Sequence, residues 1–216
     1  MKMRIKTTFS TDKSGVIDFN YQHQIQALIY GFLSKSNPDY SQWLHQQGFV
    51  YKNDKRFKFF AFSGISFHCP IKIIRSIGLN GLSGFIGLNG FSFKASHISP
   101  FTFSFQIASP VDKFIQHLIE GIFGEGQEVR LGKQTFSVCR VETLADPLET
   151  TTDSSSSNSV SSSNGLIRVS LKPLESPLFI KKPMPPGQQD IYLFPGDNGY
   201  EELLNQNLMH KYETLL

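Results

Sequence analysis

Residues 101–123 read FTFSFQIASPVDKFIQHLIEGIF, and a change of period inside this stretch decides the fold. Phe101, Phe103, Phe105 and Ile107 alternate with smaller or polar residues, the two-residue period of a strand with one buried face. Beyond Ser109-Pro110 the apolar positions become Val111, Phe114, Ile115, Leu118, Ile119 and Ile122. That is the spacing of an amphipathic helix, which Gly124 and Gly126 bring to an end. Glu128 to Leu131, a Gly132-Lys133 turn and Thr135 to Leu144 then predict a hairpin.

The same strand-to-helix change occurs at the start of the chain. Met3, Ile5, Thr7 and Phe9 alternate with Lys2, Arg4 and Lys6, which predicts a strand over 2–9. Ile25, Leu28, Ile29, Phe32 and Leu33 then predict a helix over 21–35. Ser36-Asn37-Pro38 stops it and starts a second helix carrying Tyr40, Trp43 and Leu44, with Pro38 in its first turn and Gly48 just past its end. Residues 57–63 alternate as a strand with apolar character on both faces, and Lys58 falls on it. The order is strand, helix, strand, insertion, strand, helix, strand, which predicts an α+β ferredoxin-like (βαββαβ) domain.

The insertion, 71–94, holds a short repeat in which Ile77-Gly78-Leu79-Asn80-Gly81 recurs as Ile86-Gly87-Leu88-Asn89-Gly90. Asn-Gly pairs favour tight hairpin turns, and no helix start follows to make a glycine-rich phosphate cradle. Residues 149–164 are dominated by Ser and Thr, a composition with nothing to bury, and are expected to form a disordered loop. Strand patterns at 166–171 and 176–180 and a helix from about 197 with Leu203, Leu204, Leu208 and Tyr212 cannot close a sheet domain by themselves. The expected organisation is therefore a ferredoxin-like domain over 1–148, the loop 149–164, and an incomplete second ferredoxin-like domain over 165–216.

Charge separates the two parts. Residues 1–144 hold 16 Lys/Arg against 9 Asp/Glu, a net +7, whereas 145–216 hold 5 against 9, a net −4. A basic N-terminal part favours an anionic partner, of which a phosphate backbone is the commonest. No run approaches the roughly 20 apolar residues that span a bilayer, and lysines and arginine break the first nine residues where a signal peptide would need an apolar core. Cys69 and Cys139 form no CxxC pair, so a disulfide framework and a zinc knuckle are both disfavoured and a reducing cytoplasm is the default.

Three side chains carry candidate chemistry: Tyr30 late on the first helix, His45 near the end of the second, and Lys58 on the strand that follows. RNA can be cut by its own 2′-hydroxyl, which needs one proton removed, one delivered to the 5′-oxygen, and charge stabilised on the phosphorane. An imidazole titrates near neutral pH and suits proton transfer, a phenol can donate or take a proton, and an ammonium stabilises developing negative charge. No metal or other cofactor is required. The remaining histidines, His23, His68, His97, His117 and His210, are scattered and lack the spaced partners of a metal site. Each residue also has a structural explanation: His45 as an exposed residue at a helix end, Tyr30 as core with its hydroxyl outward, Lys58 as a solvated strand residue.

Tyr21-x-His23, Ala27-Leu28-Ile29-Tyr30, Leu44-His45-x-x-Gly48 and Phe57-Lys58-Phe59-Phe60-Ala61-Phe62-Ser63 together resemble the N-terminal signature of the CRISPR repeat-processing endoribonucleases, the Cas-six family of the RAMP superfamily. The helix start at Pro110 and the segment from Glu128-Val129-Arg130-Leu131-Gly132 to Phe136 extend the resemblance over residues 1–145. It implies two ferredoxin-like domains that bind CRISPR repeat RNA and cut precursor crRNA without a metal, leaving a 2′,3′-cyclic phosphate. It implies His45 as general base or acid, Tyr30 as its partner in proton transfer or phosphate contact, and Lys58 as the stabiliser of the transition state. Lys52 and Lys55 are alternatives to Lys58, and with Arg56 are the expected RNA contacts. A homodimer or a CRISPR effector complex is the implied assembly. The family's C-terminal glycine-rich loop has no counterpart here, so the alternative expectation is a non-catalytic repeat-RNA-binding relative or a truncated, inactive form.

Overall fold

A computed structural model describes residues 3–52, 55–74, 90–124, 128–145, 162–163, 166–167, 179–182, 184–185 and 187–216. The chain divides into two compact units, one formed by residues 1–46 and 58–146 and the other by 47–57 and 147–216.

The first unit opens with strand β1 (Met3–Thr11), followed by β2 (Gly15–Asp18), helix α1 (Tyr21–Ser36) and helix α2 (Pro38–Gln46). One residue joins the helices. The Asn37 backbone N–H closes the end of α1 on the Leu33 carbonyl (2.8 Å), while its side-chain oxygen accepts from the Tyr40 N–H (2.9 Å) at the start of α2. Pro38 occupies the first helical position, where its missing N–H is not needed. The chain leaves this unit as a hairpin of β3 (Phe49–Tyr51) and β4 (Lys55–Phe57).

On its return it lays the short strands β5 (Ala61–Phe62) and β6 (Ser66–Phe67) against the sheet, then forms β7 (Ile71–Ile74) and β8 (Gly90–Phe93). β9 (Phe101–Ser109), helix α3 (Asp112–Phe123), β10 (Glu128–Leu131) and β11 (Gln134–Leu144) complete the unit. The main sheet runs β10-β11-β1-β9-β5, with β6 also on β9 and every pairing antiparallel. The central β1 lies between β9 and β11, and α1 and α3 cover one face. This is the ferredoxin-like arrangement expected from the sequence. β7 and β8 pair from Ile71↔Phe93 to Ile74↔Gly90 and join β2 in a separate three-stranded sheet. The repeated Asn-Gly turns of the insertion lie outside the described residues, Gly90 excepted.

The alternation in β1 and β9 has the expected consequence. Ile5, Phe9, Phe101, Phe103, Phe105 and Ile107 are buried, and Phe9 stacks on both Phe103 (5.1 Å) and Phe105 (5.2 Å). Ile25, Leu28, Ile29, Phe32 and Leu33 of α1 and Phe114, Ile115, Leu118 and Ile122 of α3 close over them. A hydroxyl ties the end of α1 to α3, because Ser36 Oγ donates to Glu120 Oε2 (2.6 Å) and lies 3.0 Å from His117 Nδ1.

One expectation needs correcting. Residues 57–63 do not form a continuous strand: the hairpin strand ends at Phe57, the sheet pairing begins at Ala61, and Lys58 sits in the break. Phe59 supplies the physical reason, with a backbone φ of +46° that no strand residue adopts.

In the second unit the described elements are the β3–β4 hairpin, the two-residue strands β12 (Ser162–Ser163) and β13 (Leu166–Ile167), β14 (Ile180–Lys182) paired with β15 (Ile191–Leu193), and helix α4 (Tyr200–Leu215). The Ser-rich stretch up to residue 161 and the expected strand at 176–178 lie outside the described residues.

Helices α1 and α3 meet without room for a side chain at residue 121. A Cβ placed on Gly121 would stand 1.9 Å from the Phe32 carbonyl oxygen. Backbone cannot yield as a flexible side chain can, so Gly121→Ala should lower stability by about 1–3 kcal/mol, read as an earlier urea midpoint with an unchanged slope.

Candidate active site

Tyr30, His45 and Lys58 converge within the first unit, and each is placed by a different part of the fold. Tyr30 lies six residues before the end of α1, on the side that meets α2. His45 is in the last turn of α2 and is exposed. The two rings meet edge to face with centroids 5.1 Å apart. Ser41, buried on α2, donates from Oγ to the Tyr30 carbonyl at 3.2 Å and so pins one helix to the other beside the pair. Leu44, completely buried, faces the core from the same helix and leaves the adjacent His45 turned outward.

Lys58 reaches the pair from the break between β4 and β5. Its ammonium donates to the His45 carbonyl oxygen and lies 5.6 Å from the centre of the Tyr30 ring. The contact to the carbonyl satisfies an acceptor at the end of α2, where the helix has none of its own. Phe60 closes the arrangement from behind: its ring stands edge-on to Tyr30 (5.9 Å) and stacks on Phe114 of α3 (4.9 Å). Sequence reasoning missed Ser41 and Phe60. Neither has a local signature, since each acts through a partner more than ten residues away in the chain.

Burial acts on both titratable partners of His45. It raises the Tyr30 phenol above its usual 10.0 and lowers the Lys58 ammonium below its usual 10.5, because in each case the charged form is the one disfavoured by lost hydration. Tyr30 Oη is itself buried with no hydrogen-bond partner among the described residues. It is therefore held as a neutral phenol, able to donate but poorly suited to act as a base. Tyr40, on the other side of α2, is pushed up to about 12 by burial and by the neighbouring Tyr30.

Lys52, Lys55 and Arg56 lie on the β3–β4 hairpin of the second unit and are exposed. There Lys55 Nζ is 3.0 Å from His210 Nδ1 of α4, and the Tyr51 ring stacks on His210 at 4.4 Å while its hydroxyl donates to Glu213 (2.6 Å). Lys52 folds back over the Tyr51 ring (4.8 Å), and its hydrogen bond to that phenol raises its pKa. The hairpin is thus tied to α4 across more than 150 residues of sequence.

The open face of the first unit's sheet offers a second polar surface. Lys6, Thr8, His68, Thr102, Cys139, Arg140 and Glu142 line a depression of about 450 Å³. Glu142 is shared by Lys6 (3.9 Å) and Arg140 (3.6 Å), so one carboxylate faces two cations and the surface keeps net positive charge. Among the described residues no three His, Cys, Asp or Glu side chains come together as a metal site would require. No described helix is long and apolar enough to cross a membrane.

Residues 16–84, which carry α1, α2, the hairpin and Lys58, match the family described as CRISPR-associated protein Cas6, N-terminal. That match covers the N-terminal third of the chain. A solved structure named "CRISPR associated protein Cas6" is 24% identical with a TM-score of 0.57, over 100% of this chain and 72% of that one. A Cas6-related protein from Pyrococcus furiosus is 18% identical with a TM-score of 0.60, over the same shares. A third structure, described as a RAMP protein binding different RNA substrates, is 16% identical with a TM-score of 0.56, over 94% of this chain and 68% of that one. At these identities the structures establish the shared fold. No curated protein sequence matches the chain.

The Ser41 contact can be tested directly. Ser41→Ala removes a part-buried hydrogen bond and should cost about 0.5–1.5 kcal/mol in chemical denaturation. Ser41→Thr, which keeps the hydroxyl, should recover most of it.

Proposed function

We propose that this chain belongs to the Cas6 family, binds CRISPR repeat RNA and cuts precursor crRNA into guide units without a metal, leaving a 2′,3′-cyclic phosphate. Processing of CRISPR repeat RNA is the activity of the family. The observation that carries the finer reading is the meeting of Tyr30, His45 and Lys58 around one point, from two helices and a loop.

The chemistry follows from the groups. The 2′-oxygen of one nucleotide attacks the adjacent phosphorus while the bond from phosphorus to the 5′-oxygen breaks. His45, exposed at the helix end, either takes the proton from the 2′-hydroxyl as general base or gives one to the leaving 5′-oxygen as general acid, with solvent completing the other transfer. Tyr30, kept neutral by burial, packs its ring edge-on against the imidazole and orients it. Lys58 places a positive charge against the oxygens that become more negative in the phosphorane. Lys52, Lys55 and Arg56 supply cationic contacts to the RNA, as does the basic open face of the sheet. The net +7 of residues 1–144 agrees with an anionic ligand, and binding of RNA by a structural relative agrees with its being RNA.

The test is cleavage of a labelled repeat RNA in excess EDTA, with His45→Ala alongside. The parent chain should cut and leave a cyclic phosphate end. The variant should lose about 10²–10⁴ in rate while binding RNA almost as tightly. Equal loss of cleavage and affinity would remove His45 from the chemistry. An uncut RNA that is nevertheless bound in a salt-sensitive way would favour a non-catalytic binding relative.

The pH profile gives a second check. Lys58 must keep its proton to stabilise the phosphorane, and burial lowers its pKa in the free chain, so kcat/KM should fall on the alkaline side earlier than an ordinary lysine would allow. Lys58→Arg, whose guanidinium stays charged, should move that limb to higher pH.

A further inference from the structure

We propose that Ser109 is the positioning residue for Lys58, acting through the left-handed turn at Phe59. This rests on the reading of Lys58 as the group that stabilises the transition state.

Phe59 is one of two described residues other than glycine with a positive φ, at +46°. A bulky side chain is rarely found in that region, and such a conformation persists only where its surroundings hold it. The holding group is visible. Ser109 ends β9, is 4% exposed, and donates from Oγ to the Phe59 carbonyl at 2.7 Å. The same oxygen accepts the Val111 N–H (3.1 Å) where α3 begins. One buried hydroxyl therefore fixes three things: the end of a central strand, the entry to a core helix, and the turn that carries Lys58.

The turn matters because of what lies on either side of it. The sheet pairing resumes only at Ala61, opposite Ala108, so residues 58–60 are not held by the ladder. Across this gap Lys58 and Phe60 both come to the Tyr30 ring, one over it and one edge-on. Phe60 is anchored independently by stacking on Phe114. Lys58 has no comparable anchor in the core, and its ammonium reaches the His45 carbonyl from the turn alone. Releasing the Phe59 carbonyl weakens the hold on its left-handed conformation, which loosens residue 58 and leaves residue 60 anchored on Phe114.

Ser109 does not touch the reacting groups, so the test must separate positioning from general support. Cleavage is measured at saturating repeat RNA in Ser109→Ala, Ser109→Thr, Lys58→Ala and the Ser109→Ala/Lys58→Ala double variant, with RNA affinity measured separately. Ser109→Ala should lower the rate constant roughly 10- to 100-fold with affinity unchanged. Ser109→Thr should restore it, and the double variant should be no slower than Lys58→Ala alone. Full additivity of the two losses overturns the proposal.

Phe59→Val, whose β-branched side chain disfavours the positive φ while leaving Ser109 and the α3 entry intact, should behave as Ser109→Ala does and covers a Ser109→Ala chain that folds poorly. NMR titration of the Lys58 side chain supplies a readout free of activity. Its pKa should sit below the usual lysine value in the parent and return toward it in Ser109→Ala or Phe59→Val; no change in either also overturns the proposal. A parent chain that leaves the RNA uncut counts against the nuclease reading, and the titration still decides the role of Ser109.

Discussion

The contact between the backbones of α1 and α3, where Gly121 lies against the Phe32 carbonyl, is the constraint on which the rest of the first unit depends. It sets the height of α1 above the sheet, and Tyr30 is two residues before Phe32 on that helix. α2 follows through a single junction residue and is pinned back to α1 by Ser41, so the position of His45 is inherited from α1. A small residue at 121 is therefore a matter of site geometry as much as of packing. The apolar stack of Phe9, Phe103 and Phe105 beneath the helices makes the platform stiff, since rings packed on both faces have little room to adjust.

Topology then brings His45 and Lys58 together. The chain leaves the first unit after Gln46 and returns at Lys58, and the segment between is an antiparallel hairpin in which Phe49 faces Phe57. The legs of a hairpin begin side by side, so the residues flanking it must be neighbours however long its tip. Thirteen residues apart in sequence, His45 and Lys58 are joined at the neck of an excursion. Such a site tolerates variation in the hairpin, because the length of the tip does not alter the spacing of the legs.

Much of this was legible in the chain. The alternation in 3–9 and 101–107 gave the buried faces of β1 and β9, and Pro38 and Gly48 bracketed α2, with Gly48 at a φ of +64° as a residue past a helix end requires. Gly132 at +62° likewise marks the turn between β10 and β11. The break at residues 58–60 was not legible, because Phe59 is the residue type that a strand pattern favours and its carbonyl is bound by Ser109, fifty residues away. The stack of Tyr51 on His210 escaped for the same reason: local pattern reports which face is buried, not which distant side chain lies against it. Tyr30, His45 and Lys58 were nameable from chemistry and motif, but their distances were not, since those depend on a hairpin that the sequence pattern did not separate from the strand after it.

The electrostatics of the three residues make sense as those of a site prepared for an anion. Burial disfavours charge on both Tyr30 and Lys58, and the two consequences differ. For the phenol it preserves the neutral form, whose ring packs against the imidazole without adding a charge. For the ammonium it is a cost, since the positive charge is partly stripped of water and compensated only by a neutral carbonyl. A phosphate arriving beside Lys58 reverses the sign of that cost, because an opposite charge within a few ångströms stabilises the ammonium more than the carbonyl dipole does. The charge lost to desolvation is thus returned by the ligand, and returned most fully when the negative charge on the phosphoryl oxygens is greatest. In the proposed reaction that condition is met in the phosphorane rather than in the bound ground state, which is the ordering that catalysis requires.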